Sequence, residues 1–559
     1  MSTEAASPRS GATGASPWVA LIVVLAATFV QLLDVSIVNV AIPSIQQTLH
    51  AAYADVQLVL SGYQLGFAAT LIIAARLGDI YGRRRLFLIG MICFALASVA
   101  CGAAATIEML VISRVVQGIA SALMFSQVLA IIQVMFAPRD RGGALGAYGA
   151  TIGLGTILGP VAGGALIQIG LFADPWRAIF LVNVPICAIA VVAALRLLGE
   201  STAPTIPRLD IPGAVLSAVG LGCIIYPLSE GRTKGWPLWL DALLAVGVAL
   251  LAVFLRYERG LSRAGRSPIL DTGLFADRAF RVGAVLLTVF NAGVPAFFFA
   301  FNVYLQQGEG FSALASGLAT VPFALGAAVT ATTSDDIATR IGNRVLLAGS
   351  ALLVLGMLAL ILTARLAGTQ PQVYHFIPAM LLGGLGYGLF IAPAIDLILA
   401  NVRRERAGAA SGALPSMQQV GSALGVALIG IIFFGLLGGN APAAATGAAE
   451  PLRASLAGAG LPTAAVAPAA ATFERCFIAR STATDPTVAP PGCAAAPTNR
   501  TAAAAFVRAG REAGARTFTD TLQQALLYEV GVFALAFLLA LRLPKVDPVT
   551  LDVDGLNAV

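Results

Sequence analysis

"ARLGDIYGRRRL" occupies residues 75–86 and separates two apolar runs, at about 55–75 and 86–104. Arg76, Arg83, Arg84 and Arg85 crowd into a turn that also carries Asp79 and Gly82. Gly82 allows a tight reversal between helices. Asp79 can accept from a helix N-terminus and from Arg83. Arginines in a short turn between apolar runs keep that turn on the cytoplasmic side of a membrane. A turn that merely fixes topology could look the same, so the flanking sequence has to decide.

The chain has 559 residues, 58% of them hydrophobic and 11% charged. A soluble protein of that length needs more charge to cover its surface. Apolar runs of about 18 residues or more recur throughout, each able to cross a roughly 30 Å hydrocarbon core. They fall at about 18–41, 55–75, 86–104, 107–134, 144–168, 177–198, 211–230, 239–256, 282–306, 313–334, 345–367, 375–400, 407–438 and 522–543. The expectation is an all-α polytopic membrane protein of fourteen spans. The first run has no small-residue cleavage site after it and reads as a retained span.

The loops test that count. "RLGDIYGRRR", "APRDRGG", "RYERGLSRAGR", "DDIATRIGNR" and "NVRRERAG" lie on alternate turns, and the opposite short turns carry few arginines. The asymmetry puts both termini in the cytoplasm. It also accounts for the net charge of +6 without a nucleic-acid partner. The partners expected are a lipid bilayer and small organic molecules.

Residues 439–521 form one long loop on the outer side, rich in Ala, Pro, Thr and Gly. It reads as irregular chain around a short helix near "TAAAAFVRAGREAGARTF". Cys476 and Cys493 share this loop and are open to forming a disulfide there. Cys93, Cys101, Cys187 and Cys223 lie in apolar runs as small buried hydrophobes. With His50 and His375 as the only histidines and no CxxC pair, no metal site is expected. Lys234 and Lys545 are the only lysines and neither lies in a phosphate-binding loop, so neither ATP-driven transport nor an enzyme is expected.

An internal echo divides the chain. "ARLGDIYGRRRLFLIG" follows the second run, and "TSDDIATRIGNRVLLAG" follows the tenth with a similar order of acid, arginine, glycine and arginine. Transporters are commonly built from such repeats. The division expected is a tail at 1–17, a six-helix bundle at 18–198, an inserted hairpin with its linkers at 199–281, a second six-helix bundle at 282–543 and a tail at 544–559.

These motifs carry a resemblance. The turn at 75–86 resembles the signature loop of the major facilitator superfamily, with Asp79, Gly82, Arg83 and Arg84 matching and Ala75 standing where that signature has glycine. "VISRVVQGIASAL" resembles the fourth-span motif through Arg114, Gln117 and Gly118. "GLGTILGPVAGG" resembles the fifth-span motif of exporters, with Gly155, Gly159, Pro160, Gly163 and Gly164. Glycines four apart give one flat helix face, and Pro160 bends the helix. "LLDVSIVNVAIP" and "WRAIFLVNVPI" are similar to the fourteen-span drug:proton antiporters of that superfamily. The resemblance implies two six-helix bundles, alternating access, and export of amphipathic compounds driven by protons, with no other cofactor, in a bacterial cytoplasmic membrane. It also implies that Asp79 helps to lock the inner gate. Alternatives on the same fold are export of one endogenous metabolite, or a passive channel or scaffold. Oligomeric state stays open, with a monomer expected to suffice.

An aspartate inside hydrocarbon is unfavourable by roughly 2.5–3.5 kcal/mol on insertion scales, so Asp34 needs a reason. Counting 1.5 Å per residue from the span ends puts Asp34 and Arg114 at a similar depth, about 10 Å from the outer side. The aspartate is the titratable member, because arginine stays protonated. The pair is a candidate proton-coupling site; the alternative is a static pair that fixes helix register. Gln64, Gln117 and Asn291 lie near mid-membrane by the same count, and Asn39 and Asn183 nearer the outer side. Phe298 belongs to a phenylalanine cluster in the ninth run. All are candidates for a substrate cavity, although interhelical bonds or lipid contact would also explain them. Asp396 is expected near the cytoplasmic interface.

Overall fold

In the computed structural model, the described residues are 16–136, 138–202, 210–264, 266, 268, 270, 272–369, 371–400, 402, 407–483, 493 and 500–544. Most of both expected tails and Arg403–Arg406 lie outside them. The described backbone is helical throughout, which is how an apolar chain satisfies its own peptide groups without water. The N-terminal half contains α1 (Pro17–Leu49), α2 (Tyr53–Tyr81), α3 (Arg83–Gly102), α4 (Ile107–Met135), α5 (Pro138–Ile169), α6 (Arg177–Leu181) and α7 (Asn183–Leu197). A hairpin, α8 (Ile211–Lys234) and α9 (Leu238–Arg263), follows. The C-terminal half contains α10 (Arg278–Val303), α11 (Ala313–Ala331), α12 (Ser334–Ile341), α13 (Arg344–Ala367), α14 (Ile377–Ala400), α15 (Ala407–Gly458), α16 (Thr463–Thr482) and α17 (Arg500–Leu541).

Local chemistry sets several boundaries. The Ser16, Thr106 and Ser312 side chains accept from the first turns of α1, α4 and α11, satisfying amides that have no intrahelical partner. Gly82, at φ 109°, ends α2 and starts α3.

Twelve described helices are long and apolar enough to cross a membrane, or thirteen with the bent α2 taken as one span. The sequence gives fourteen. The difference is α5, in which only Leu158–Ile169 stands out as a shorter apolar helix. Its glycines and charged first turn (Asp140) dilute the hydropathy that the count relies on.

Two departures from expectation have physical causes. Helix α1 continues to Leu49, so Asp34 lies near its middle and not about 10 Å from one end. Residues 439–521 are largely helical: α15 and α17 run on past the bundle, and α16 lies between them. Alanine is the best helix former, so an alanine-rich segment need not be disordered. Ala502, Ala505, Ala509 and Ala513 line one face of α17 and pack with Leu452, Leu456, Val466 and Phe473 into a small separate core. Cys476 and Cys493 are joined in a disulfide beside it.

The cores reveal the shape. One N-terminal cluster, including Val24, Phe87, Phe94, Met124 and Ile132, draws only on that half. The cluster around Phe290, Phe301, Phe390 and Leu526 draws on the C-terminal half and on Leu274 just before it. A third combines Ile37, Ile42, Val59 and Phe180 with Phe299, Val303, Phe433 and Phe434, and so joins the halves. The joined core lies toward the end where turns carry few arginines, called here the arginine-poor end. Leu221 and Ile225 of the hairpin pack on Ala423 and Leu65, so the hairpin leans on both halves.

Candidate functional site

Asp34 is fully buried at the centre of the N-terminal half, and three donors from two other helices, α4 and α7, converge on it. Arg114 Nη1 donates to Asp34 Oδ2 at 2.5 Å. Gln117 Nε2 and Asn183 Nδ2 donate to Asp34 Oδ1 at 2.9 and 2.8 Å. Arg114 also donates to Gln117 Oε1 at 2.7 Å and, through Nε, to the Val59 carbonyl at 3.2 Å. Its guanidinium lies 4.3 Å from the centre of the Tyr63 ring. Ser98 accepts from Gln117 at 2.8 Å. Arg114 is only 1% exposed, so this ion pair is desolvated and its hydrogen bonds must offset that cost. A carboxyl group that took up a proton here would lose its charge, and the guanidinium would lose its partner.

The glycines of α5 set where α1 runs. A Cβ at Gly155 would come within 2.9 Å of Leu32 Cβ, one at Gly159 would meet Ser36, and one at Gly163 would come within 2.6 Å of Ile37. These glycines bring α5 against the stretch of α1 that carries Asp34. Gly164 faces across to α11, where a Cβ would lie 2.5 Å from Leu314 Cα. The Pro160 carbonyl likewise crowds Gly317 of α11. Close contact between α5 and α11 thus joins the halves toward the arginine-poor end.

The same end is closed by polar contacts. Gln307 donates to Gln46 at 2.6 Å and accepts from Tyr53 at 2.6 Å. Gln306 donates to the Val40 carbonyl at 3.0 Å. The Tyr53 ring stacks on Phe434 with centroids 3.7 Å apart.

At the arginine-rich end, Arg83 Nη2 bonds Asp79 Oδ1 at 2.8 Å. Glu200 accepts from the Arg84 and Arg85 amides at 3.0 and 3.2 Å, capping the start of α3. Arg84 Nη2 donates to the Leu195 carbonyl. The turn at 75–86 is thereby tied to the end of α7. The described side chains put Asp79 against Arg83; those of residues 407–409, at the start of α15, lie outside the described set.

The other expected site residues are dispersed. Gln117 and Asn183 are fully buried, with their amides in the Asp34 cluster. Asn39 and Asn291 each bond back to a carbonyl one turn earlier in their own helix. Gln64 is buried and its Oε1 has no hydrogen-bond partner. Phe298 packs edge-on against Phe323 at 5.1 Å. Asp396 is exposed. Sequence reasoning missed Ser98, Tyr63, the Gln307 contacts and Glu529. Glu529, in α17, is 1% exposed, with both carboxylate oxygens unpartnered. It carries the same signal as Asp34, a lone acid in an apolar run.

Two helical bundles around a central seam, with buried charge in one of them, define a membrane transporter. The sequence pattern of the Major Facilitator Superfamily matches residues 24–426, and the chain belongs to that family. It is 36% identical over 543 residues to the "Probable actinorhodin transporter" of Streptomyces coelicolor, covering 96% of this chain and 94% of that protein. It is 35% identical over 424 residues to the puromycin resistance protein pur8 of Streptomyces alboniger, covering 75% and 82%. It is 34% identical over 415 residues to the multidrug resistance protein Stp of Mycobacterium tuberculosis, covering 72% and 73%. The fold is shared with a bacterial homologue of the human lysosomal transporter Spinster, at a TM-score of 0.61 and 16% identity over 94% of this chain and 97% of that one.

Proposed function

We propose that the protein is a proton-driven exporter of amphipathic organic compounds of the antibiotic and drug class, working by alternating access. The observation that carries this is the desolvated Asp34–Arg114 pair, closed in by Gln117, Asn183 and Ser98. A carboxylate kept in hydrocarbon is costly unless its charge is used. Protonation of Asp34 frees Arg114 Nη1 and weakens the hold on Gln117 and Asn183, so α1, α4 and α7 can shift against one another. The relatives named for drug resistance support the substrate class. By the positive-inside rule the arginine-rich end is cytoplasmic, so the structure corresponds to a form closed toward the outside. Each proton moving inward supplies about 2.3 kcal/mol per 100 mV.

The test is accumulation of a fluorescent drug in inverted vesicles under an imposed pH gradient. Wild-type protein should accumulate the drug and Asp34→Asn should not. Accumulation indifferent to the gradient would instead indicate a passive pathway. A second reading, export of one compound, is favoured by the relative named for actinorhodin, whose match spans 96% of this chain and so reaches into the outer helices. A panel of unrelated drugs separates the two.

A further inference from the structure

A cavity of about 1210 Å3 lies at the arginine-poor end, between the outer parts of α16 and α17 and the turn after α10. That volume exceeds the usual range of roughly 300–1,000 Å3 for drug-sized ligands. Its apolar wall is Phe473, Phe477 and Phe506. Phe473 stacks on Phe477 at 6.0 Å and meets Phe506 edge-on at 6.1 Å. Its polar wall carries the exposed Arg480, Arg508 and Arg511. The two carboxylates of the lining already have partners: Glu512 pairs with Arg516 at 2.6 Å, and Glu309 accepts from Thr519 at 3.0 Å. The three guanidiniums have none among the described residues and outnumber Glu309, the one lining carboxylate without a cationic partner, so the described lining keeps a net positive charge.

We propose that this chamber is a binding site for aromatic anions, molecules with a flat apolar body and a carboxylate or sulfonate. Phenylalanine rings take the flat body, and guanidiniums offer a planar fork that matches a carboxylate. The disulfide Cys476–Cys493 lies in the chamber wall. Gln307 lines the chamber and is also the side chain bonded to Gln46 and Tyr53. A ligand in the chamber therefore sits next to the seam that closes the arginine-poor end. That the ligand is a compound on its way out rests on the export reading; that the chamber binds it does not.

The experiment uses the full chain in phosphatidylcholine nanodiscs, with no gradient imposed. Equilibrium binding is measured for anthracene-2-carboxylate and for its neutral methyl ester. The acid should bind at least tenfold more tightly than the ester. The exposed double variant Arg508→Gln/Arg511→Gln should weaken acid binding at least tenfold and leave ester binding within twofold. Adding phosphatidylglycerol should leave acid binding within twofold. Equal affinity for acid and ester, or no effect of the double variant, would overturn the proposal. Displacement by phosphatidylglycerol would also overturn it, by assigning the guanidiniums to lipid headgroups. Failure of proton-driven export would leave this equilibrium binding intact, and loss of binding would leave uphill transport to be judged separately.

Discussion

Gln307 Nε2 lies 2.6 Å from Gln46 Oε1, so a side chain of the C-terminal half is bonded to α1 of the N-terminal half. The same residue accepts from Tyr53 at the start of α2. Gln307 reaches both because α10 ends in a π-helical turn, Tyr304–Gly308, which redirects its last side chains. Two helices are thus gathered by a single amide at the seam.

Gln307→Ala should loosen that seam. Neutral hydrogen bonds contribute about 0.5–1.5 kcal/mol each, so losing two should favour the form open at this end by roughly 5- to 150-fold. A cysteine placed at Ser44 reports it, in a background lacking Cys93, Cys101, Cys187 and Cys223. Its labelling by a membrane-impermeant maleimide should speed up in the variant. An unchanged rate would mean that apolar packing, such as Tyr53 on Phe434, holds the seam by itself.

Asp34→Asn should insert and fold, lose uphill transport and have a lower thermal midpoint. With the amide oxygen facing Gln117 and Asn183, its nitrogen faces Arg114, donor against donor. Leaving one member of a buried pair uncompensated costs about 3–5 kcal/mol. Adding Arg114→Gln should recover part of that loss, because the two residues are coupled. A double variant no more stable than the sum of the singles would show that Gln117 and the Val59 carbonyl already satisfy Arg114.

Much of this cluster was legible in the sequence, because a charge inside an apolar run is visible at once and Asp34 and Arg114 are such charges. The place of Asn183 was not. Counting residues gave its depth, toward the outer side like that of Asp34, but not the direction of its side chain, which the packing of α7 on α1 sets 2.8 Å from Asp34 Oδ1. The helices beyond the bundle were missed for a different reason. Composition rich in alanine, proline and threonine suggests disorder, and the burial of Ala502, Ala505, Ala509 and Ala513 shows only once their partners from α15 and α16 are known. The Gln307 contacts depend on a π-helical turn for which no sequence signal was used.

Gly82→Ala should destabilise the turn at 75–86 for two reasons. Its φ of 109° lies where side-chain-bearing residues are strained, at a cost of order 1–3 kcal/mol. Its Cβ would also lie 2.5 Å from the Glu200 carboxyl carbon. Glu200→Ala removes the cap of α3 and should cost about 0.5–2 kcal/mol. In the double variant the clash is gone and the backbone strain remains, so the loss should be smaller than the sum. Thermal unfolding of the four proteins in detergent measures it, and strict additivity would mean that Gly82 is needed for its backbone alone.

Burial pushes the Glu309 carboxyl up to about 7, against the bond from Thr519 that lowers it. The folded protein therefore holds this proton more tightly than an unfolded chain, whose glutamate titrates near 4.5. Stability from this group is fully present below pH 4.5 and is lost as pH rises to about 7, then level above it. The thermal midpoint should fall between pH 5 and pH 8, and Glu309→Gln should flatten that fall. Equal pH dependence in both proteins would assign it to other groups.

Reduction of Cys476–Cys493, or Cys476→Ser with Cys493→Ser, should release α16 without unfolding the bundle. The bridge closes a segment of 17 residues, for which loop-closure arithmetic gives about 3 kcal/mol. The small core it guards contains Val466 and Phe473 from α16, against Leu452 of α15 and Ala505 of α17. That core is separate from the clusters of the two halves, so its loosening need not spread to them. Limited proteolysis should cut the variant at Arg475 or Arg480 well before the wild type, while the midpoint of the main unfolding transition stays within a few degrees. A large drop in that midpoint would show that α16 is part of what holds α15 and α17 in the bundle.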